Sequence, residues 1–424
     1  MHGLGGPKSG GTALRAAGVA LVVAVALLIS AAAAAASGPV TAGAGGPVTA
    51  GAGGPAATGG ATIGAASTPA TATNFGVVVP APGSLIVVRR ISGQDSLWSV
   101  DPANAMASQL VTLPFRPASV SQSPGGRRLA YLPMSAGPAV YVYDTKTNAL
   151  VKRSLAAHGV KVVDSLTWLT STKLLVAGKA TAGRAFYPFA DRLWVLNAAT
   201  GAASRFRNLA GTEPSVAPAG TILAYVRLSD GGRITSGSPM RWVIERLYRL
   251  KLAAGTTPHL LRTARYPNDL DIRRFHDPSL SQRGSYLTTS TTGSDISVSY
   301  MVRATATGAV RRTINTALLG RAVTAWSNHG NHVALWSMPL ADNTNTTRLL
   351  IYSPATDLLS HSATLSKVAV TGLAWSSNDA SLAYSLRGFT SLDDVAELWT
   401  IDPTTLSLTS AKDLGAGSLP VFAP

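Results

Sequence analysis

The chain has 424 residues, of which 46% are apolar and 13% charged, so it can form one large domain or several smaller ones. It contains no cysteine, which excludes disulfides, thiolate zinc sites, iron–sulfur clusters and a cysteine nucleophile. Thirty-six basic residues against 20 acidic ones give a net charge of +16, which attracts anionic partners. The charge is scattered rather than concentrated in one run, as is typical of a solubilising surface.

Residues 1–36 have the features of an export segment. Two positive charges, Lys8 and Arg15, precede the uncharged apolar stretch 16–36, and the next charged residue is Arg89. The hydrophobic centre of the stretch has the length of a signal-peptide core, and the whole stretch is also long enough to cross a bilayer. Two interpretations therefore remain, a cleaved signal peptide and a retained transmembrane anchor. Both predict that the remainder of the chain is exported.

Residues 37–75 are rich in Gly, Ala, Pro and Thr and contain no charge. The octamer GPVTAGAG occurs twice, at 38–45 and 46–53. Such a segment cannot bury enough apolar surface to offset its ordering entropy, so we expect a disordered linker. A tether behind an apolar N-terminus slightly favours the retained anchor.

From residue 81 onward, one pattern recurs at spacings of 43 to 64 residues. The stretch SQSPGGRRLAY (121–131) is matched by SVAPAGTILAY (215–225) and AWSSNDASLAY (374–384), and weaker copies lie between them. Each copy has a short strand, a tight turn and an apolar strand, which predicts a β-hairpin. The residues at the position of Leu129 in the seven copies are Ile86, Leu129, Leu175, Leu223, Leu287, Val333 and Leu382.

A third strand follows each hairpin, as in SLWSVDP (96–102) and ELWTIDP (397–403), and a turn and a fourth short strand come after it. Four strands per repeat predict the blade of a β-propeller. Large side chains recur in the third strand, and alternation places them between blades as core rather than as ligand contacts. These side chains are Trp98, Tyr141, Trp194, Tyr248, Leu350 and Trp399.

The two ends of the repeat region predict how the ring closes. PVFAP (420–424) matches PSVAP (214–218), the innermost strand of another blade, whereas the first repeat lacks that strand. We therefore predict an all-β, seven-bladed propeller over residues 76–424, in which the C-terminal strand completes the first blade.

The hairpin sequences resemble those of the TolB-like, WD-repeat-like (PD40-type) propeller family, whose hairpin typically reads Ser-Pro-Asp-Gly before a Leu-Ala-Tyr/Phe strand. The resemblance covers about residues 81–424 and implies an exported scaffold that docks proteins or small ligands on one face. The family's turn Asp is absent, so no role of that Asp is inherited. The residues at its position are Gly125, Ser171, Ala219, Arg283, His329 and Asn378.

The longest connections fall in blades 3 to 5, at 179–191, 227–241 and 262–277. We predict them as loops on the ring face that joins second to third strands and one blade to the next. They combine arginine with aromatic side chains, which is the composition of interface anchors. The candidate binding residues are Arg184, Phe186, Tyr187, Phe189, Arg233, Arg241, Asp269, Asp271, Arg273, Arg274 and His276.

Signals for catalysis are weak. No nucleophile elbow, HExxH motif or Gly-rich phosphate loop occurs, and no metal-ligand set is evident, so we predict no catalytic residue, metal or cofactor. We also expect no hydrolase domain beside the propeller. The alternative is a small-molecule enzyme, lactonase- or lyase-like, with polar groups converging on the central channel. Asp164 and the pair His276–Asp277 come nearest to that arrangement.

These expectations predict only the class of partner. We predict an extracytoplasmic propeller, secreted or anchored to the plasma membrane by its N-terminal segment, that binds an envelope protein or an anionic envelope component. Export and scattered charge disfavour nucleic acid as a partner.

Overall fold

The computed structural model describes residues 79–135, 137–179, 191–235, 240–267, 275–292, 298–316, 323–337, 346–362, 365–366, 368–388 and 396–424. The predicted signal or anchor segment (1–36) and linker (37–75) lie outside them. Among the described residues, no helix has the length and apolar character that a bilayer crossing requires.

The described residues form seven antiparallel sheets, and each sheet is one blade. Blade 1 contains β1 (Leu85–Ile91), β2 (Gln94–Val100) and β3 (Ala107–Thr112). Blade 2 contains β4 (Pro117–Gln122), β5 (Arg128–Pro133), β6 (Ala139–Asp144) and β7 (Ala149–Ser154). Blade 3 contains β8 (Val162–Trp168), β9 (Lys173–Lys179), β10 (Arg192–Asn197) and β11 (Ala203–Ala210). Blade 4 contains β12 (Thr212–Val216), β13 (Ile222–Arg233), β14 (Arg241–Lys251) and β15 (His259–Pro267).

The remaining three blades follow the same order, from the inner strand at the channel to the outer strand. Blade 5 contains β16 (His276–Leu280), β17 (Tyr286–Thr292), β18 (Val298–Ala304) and β19 (Val310–Thr316). Blade 6 contains β20 (Thr324–Trp326), β21 (Val333–Ser337), β22 (Thr346–Ser353) and β23 (Leu358–His361), and the short β24 (Leu365–Ser366) also pairs with β22. Blade 7 contains β25 (Val368–Trp375), β26 (Leu382–Gly388), β27 (Glu397–Ile401) and β28 (Lys412–Ala416). Short 3₁₀ turns lie at Ala156–His158 and Leu408–Ser410.

The C-terminal strand closes the ring. Strand β29 (Ser418–Phe422) pairs with β1, so that Phe422 lies opposite Leu85 and Val421 opposite Ile86. The backbone N–H of Ala423 also donates to the carbonyl of Ser84 at 2.7 Å. The predicted closure is confirmed, because β29 supplies the inner strand that the first repeat lacks.

The core is divided among the blade interfaces rather than gathered in one centre. Each of seven hydrophobic clusters in the described residues joins two neighbouring blades, and one of them packs Leu85 and Phe422 of blade 1 against Leu398 of blade 7. All seven aligned positions of the hairpin repeat, from Ile86 to Leu382, are almost completely buried. The recurring third-strand residues also pack at these interfaces, as predicted for core.

The recurring serine of the hairpin has a structural reason. The hydroxyl oxygen of Ser123 accepts the backbone N–H of Arg128, five residues later, at 2.9 Å. The same bond recurs at Ser281 (3.1 Å), Ser327 (3.0 Å) and Ser376 (2.9 Å). Each bond gives a partner to a backbone N–H at the end of the turn that connects the first and second strands.

Candidate functional site

The up-and-down order of the strands gives the ring two faces. We call loop face the one with the connections between second and third strands and between successive blades. We call turn face the opposite one, which has the short hairpin turns. Of the candidate residues, the structure describes Arg233, Arg241 and His276. The others lie outside the described residues: Arg184, Phe186, Tyr187, Phe189, Asp269, Asp271, Arg273 and Arg274.

Blade 4 corrects the predicted loop at 227–241. Strand β13 has 12 residues, whereas the matching strands β9 and β17 have seven each. Strand β14 has 11, whereas β10 has six and β18 seven. Pairing continues to Asp230 opposite Val243 and, after a bulge, to Arg233 opposite Arg241. The strands persist because Leu228 and Val243 remain buried on one side of the extension. The five extra residues of β13 add about 17 Å of paired strand on the loop face, relative to the described lengths of β9 and β17.

Arg233 and Arg241 therefore lie at the tip of a sheet rather than in a free loop. Arg241 Nε donates to Asp230 Oδ1 at 3.0 Å, and the N–H of Gly232 donates to the same oxygen at 2.8 Å. The hydrogen bonds from Arg241 and Gly232 lower the pKa of Asp230, so this carboxylate is ionised and fixes the Arg241 guanidinium. Arg233 is exposed beside it.

The same tip uses a glycine where the bulge requires one. Gly232 has φ +87°, in the left-handed region that favours glycine. A Cβ on the neighbouring Gly231 would lie 2.8 Å from the Cβ of Trp242. The bulge thus brings Arg233 into register with Arg241.

His276 belongs to a different part of the loop face, the mouth of the central channel. It is the first residue of β16, and its Nδ1 lies 3.2 Å from Oε1 of Glu213 in the inner strand of blade 4. The other oxygen, Oε2, accepts the backbone N–H of Asp277 at 2.9 Å. One glutamate therefore links the inner strands of blades 4 and 5.

Three carboxyl residues occupy the same position in the inner strands of consecutive blades: Asp164, Glu213 and Asp277. Each lies where the pairing of the inner strand shifts register. Glu213 and Asp277 both have positive φ, near +49° and +45°, and both precede a proline. Asp164 Oδ1 is paired with Lys179 Nζ at 3.1 Å. Glu213 was missed in the sequence, although TEPSV and HDPSL share an acidic residue before proline.

A cavity of about 340 Å³ opens at this mouth of the channel. Glu213 and Asp277 line it together with hydroxyl side chains, which include Ser119, Ser165 and Thr324. Such a mixture of carboxylates and hydroxyls binds polar or cationic groups by hydrogen bonding. Within the part of the chain that the structure describes, no group of three or more His, Asp or Glu is arranged to bind a metal ion.

The turn-face mouth of the channel has a different chemistry. Its cavity of about 500 Å³ is lined by amide and aromatic side chains, including Gln122, Gln282, Asn328 and Trp168. Gln122 Nε2 donates to the carbonyl of Phe422 at 2.6 Å, so this amide stabilises the closing strand β29. His329 also lines this cavity, whereas the described candidates Arg233, Arg241 and His276 lie on the loop face.

Comparisons with known proteins were made on the sequence and on the fold. No protein-family model matches the chain, and no curated protein matches its sequence. Among solved structures, TolB from Acinetobacter baumannii is 16% identical, with a TM-score of 0.42 over 67% of this chain. The match spans 64% of that TolB, which is less than two thirds of its length.

Two further solved structures are similar to this chain. The β-propeller domain of the Trilobed protease from Pyrococcus furiosus is 14% identical, with a TM-score of 0.47 over 82% of this chain and 97% of that one. An uncharacterized protein from Listeria monocytogenes is 12% identical, with a TM-score of 0.48 over 82% of this chain and 94% of that one. TolB is thus among the solved propellers to which this chain is similar, and the assignment of seven blades rests on the chain's own sheet pairing.

Proposed function

We propose that the protein is an extracytoplasmic binding scaffold that docks a partner protein through the loop face of blades 3 to 5. In this proposal residues 1–36 export the chain and anchor it to the membrane, and residues 37–75 hold the propeller away from the bilayer. Support comes from Lys8 and Arg15 before the apolar stretch and from the absence of charge between there and Arg89.

The observation that favours docking is the extension of blade 4. Paired strands that add about 17 Å to this hairpin offer side chains on a rigid support, whereas a loop of the same length would have to be ordered on binding. Arg233 and Arg241 lie at its tip, and Arg241 is held by Asp230. Arginine on rigid structure is a frequent interface anchor.

In-cell cross-linking followed by mass spectrometry in the native host tests this proposal. The intact protein is compared with the double variant Arg233→Glu/Arg241→Glu and with the control Arg283→Glu/Arg311→Glu, which makes the same charge change on exposed arginines of blade 5. We expect the same specific protein to be captured by the intact chain and the control, and lost by the tip variant. Capture that is equal in all three, or absent from all three, would contradict docking through this tip.

A second candidate function is supported by the contact of Glu213 with His276. Glu213 lines the cavity and contacts His276, and a histidine held by a carboxylate has the form of a general base, as a lactonase- or lyase-like enzyme would require. The test is turnover of a panel of lactones, followed with a pH indicator, for the intact chain, Glu213→Gln and His276→Ala. An enzyme would give the intact chain a rate of lactone hydrolysis above the uncatalysed rate, and both variants would reduce it. A rate equal to that in buffer alone would exclude these lactones as substrates.

A further inference from the structure

One side of the blade 4 extension forms a basic face turned toward blade 3. Tyr225 and Tyr248 pair across β13 and β14 and pack in the cluster between blades 3 and 4. Because side chains alternate along a strand, the residues two, four and six positions further, and their register partners on β15, belong to the same side. We call this side the blade 4 basic face: Arg227, Ser229, Trp242, Ile244, Arg246, Thr263 and Arg265.

The arginines of this face are like charges placed close together. Arg227 lies directly opposite Arg246 in the register of β13 and β14, and Arg265 is opposite Ile244 on the next strand. Like charges opposite one another destabilise a sheet. The two carboxylates of these three strands, Asp230 and Glu245, belong to the other side, since their register partners are Val243 and Leu228, which pack against blade 5.

Hydrogen bonding and stacking fix two of these arginines. Arg246 Nη1 donates to Ser229 Oγ at 2.8 Å, and the Arg265 guanidinium carbon lies 4.5 Å from the centroid of the Trp242 ring. Arg227 and Arg265 are exposed, whereas Arg246, Trp242 and Ile244 are half-buried. The face is therefore a preorganised surface in which arginines of all three strands surround the apolar side chains of Trp242 and Ile244.

We propose that the blade 4 basic face binds an acidic segment of the partner protein in an extended conformation. This inference rests on the proposed docking function and names the chemistry that the docking surface recognises. Arg227, Arg246 and Arg265 lie on three adjacent strands, and Arg265 is opposite Ile244, two residues along β14 from the Arg227–Arg246 pair. An extended peptide that crosses these strands diagonally can therefore place acidic side chains against all three arginines. Carboxylates match the planar guanidinium fork.

The position and composition of the face favour a peptide over other anions. It is a side wall turned toward the neighbouring blade, so a flat membrane surface cannot lie along it. A phosphate polymer supplies charge but no apolar side chain for Trp242 and Ile244, which lie between the arginines. An acidic peptide with alternating apolar residues satisfies both kinds of contact.

The test uses the full chain and a fluorescent eight-residue peptide in which glutamate alternates with leucine. Fluorescence anisotropy measures binding for the intact chain, Arg227→Gln/Arg246→Gln, Arg227→Glu/Arg246→Glu and the charge-matched control Arg283→Glu/Arg311→Glu. We expect the control to bind like the intact chain, the Gln pair about ten-fold more weakly, and the Glu pair more weakly still. Circular dichroism shows whether each variant is folded. If Arg227→Glu/Arg246→Glu is unfolded, the comparison uses Arg227→Gln/Arg246→Gln alone.

Three results would overturn the inference: no binding of the glutamate peptide, equal binding by a peptide with glutamine in place of glutamate, or equal loss in the control variant. Tighter binding of inorganic polyphosphate or of anionic phosphatidylglycerol vesicles than of the peptide would also overturn it. The two proposals fail separately. If cross-linking locates a partner at the tip and the peptide does not bind, docking stands and the acidic segment is wrong. If the peptide binds and cells yield no partner, docking itself fails.

Discussion

The indole nitrogen of Trp168 donates a hydrogen bond of 2.9 Å to the backbone carbonyl of Ser121 in the inner strand of the preceding blade. The same bond joins Trp326 to Ser279 and Trp375 to Ala325, each time from one inner strand to the previous one, at 2.9 Å. Tryptophan at the end of an inner strand thus serves as a cross-blade donor, in addition to filling the interface core.

We expect Trp168→Phe to destabilise the propeller more than Trp336→Phe does. Both tryptophans are buried, but the Trp336 indole N–H has no hydrogen-bond partner among the described residues. The two substitutions lose similar apolar area, and only the first removes a hydrogen bond, the one to the Ser121 carbonyl, which costs about 1 kcal/mol more. Urea unfolding of both variants measures the difference; equal free energies of unfolding would show that the bond adds nothing.

The closing strand gives a second prediction. Phe422 is 6% exposed and packs with Leu85 and Leu398 at the interface of blades 1 and 7. Truncation to alanine leaves a cavity, so Phe422→Ala should lower the free energy of unfolding by about 3 to 5 kcal/mol. Thermal unfolding followed by circular dichroism measures this, with the half-exposed Leu260→Ala as a control of small effect. A small effect at both sites would contradict closure by β29.

Asp144 predicts how stability changes at acid pH. Burial opposes its ionisation, but hydrogen bonds from the Arg127 side chain and the Lys146 N–H, with the charges of Arg127 and Arg128, hold its pKa below the ordinary 3.8. Because the folded pKa is depressed, the stabilisation is present above pH 3.8 and is lost as the pH falls through the folded pKa. We expect Asp144→Asn to cost about 1 kcal/mol at pH 7.

The measurement is urea unfolding of both proteins at pH 7 and at pH values well below 3.8, where the two stabilities should converge. Asp101→Asn is the control, since Asp101 also accepts a backbone N–H two residues later, at 2.7 Å, but forms no ion pair within the described residues. A difference between Asp144→Asn and the parent that stays constant with pH would contradict the role of ionisation.

Arg303 is a buried cation without a carboxylate partner among the described residues. It is 4% exposed, its guanidinium carbon lies 5.6 Å from the ring centroid of Phe275, and its Nε has no hydrogen-bond partner. Burial, and then the nearby charge of Arg262, lower its pKa to about 10. Since the folded pKa lies below the ordinary 12.5, the charged form disfavours folding at pH 7.

We therefore expect Arg303→Met to raise the free energy of unfolding at pH 7 by about 1 to 2 kcal/mol, because an apolar side chain of similar length removes the cost of burying the charge. Urea unfolding measures the change, and the exposed Arg311→Met should be close to neutral. Destabilisation by Arg303→Met would mean that the contacts with Gly308 and Met301 outweigh the burial cost.

The repeat could be predicted from the sequence because its signals are local. Apolar alternation and a tight turn recur in each blade, and the positions aligned with Leu129 are buried without exception. The closing strand could also be predicted, because PVFAP repeats the pattern of PSVAP. Both inferences required only comparison of the chain with itself.

The length of blade 4 could not be predicted in this way. Residues 227–233 read RLSDGGR, a composition typical of a turn, and the strand persists because Leu228 and Val243 are buried and each residue up to Asp230 has a partner in β14. Strand length depends on pairing, which is a non-local property. The role of Glu213 could not be predicted for a similar reason, because its partner His276 is 63 residues away in sequence.

The most direct test of the account shortens the blade 4 hairpin by replacing residues 231–242 with Asn-Gly, a turn suited to the pair Asp230 and Val243. Thermal unfolding and in-cell cross-linking are measured on the same protein. We expect a cooperatively folded propeller, because the blade interfaces remain, that captures its partner much more weakly, because Arg233, Arg241 and Trp242 are removed while Arg227, Arg246 and Arg265 remain. A shortened chain that captures as much of the same protein as the intact one would contradict docking through the tip of blade 4.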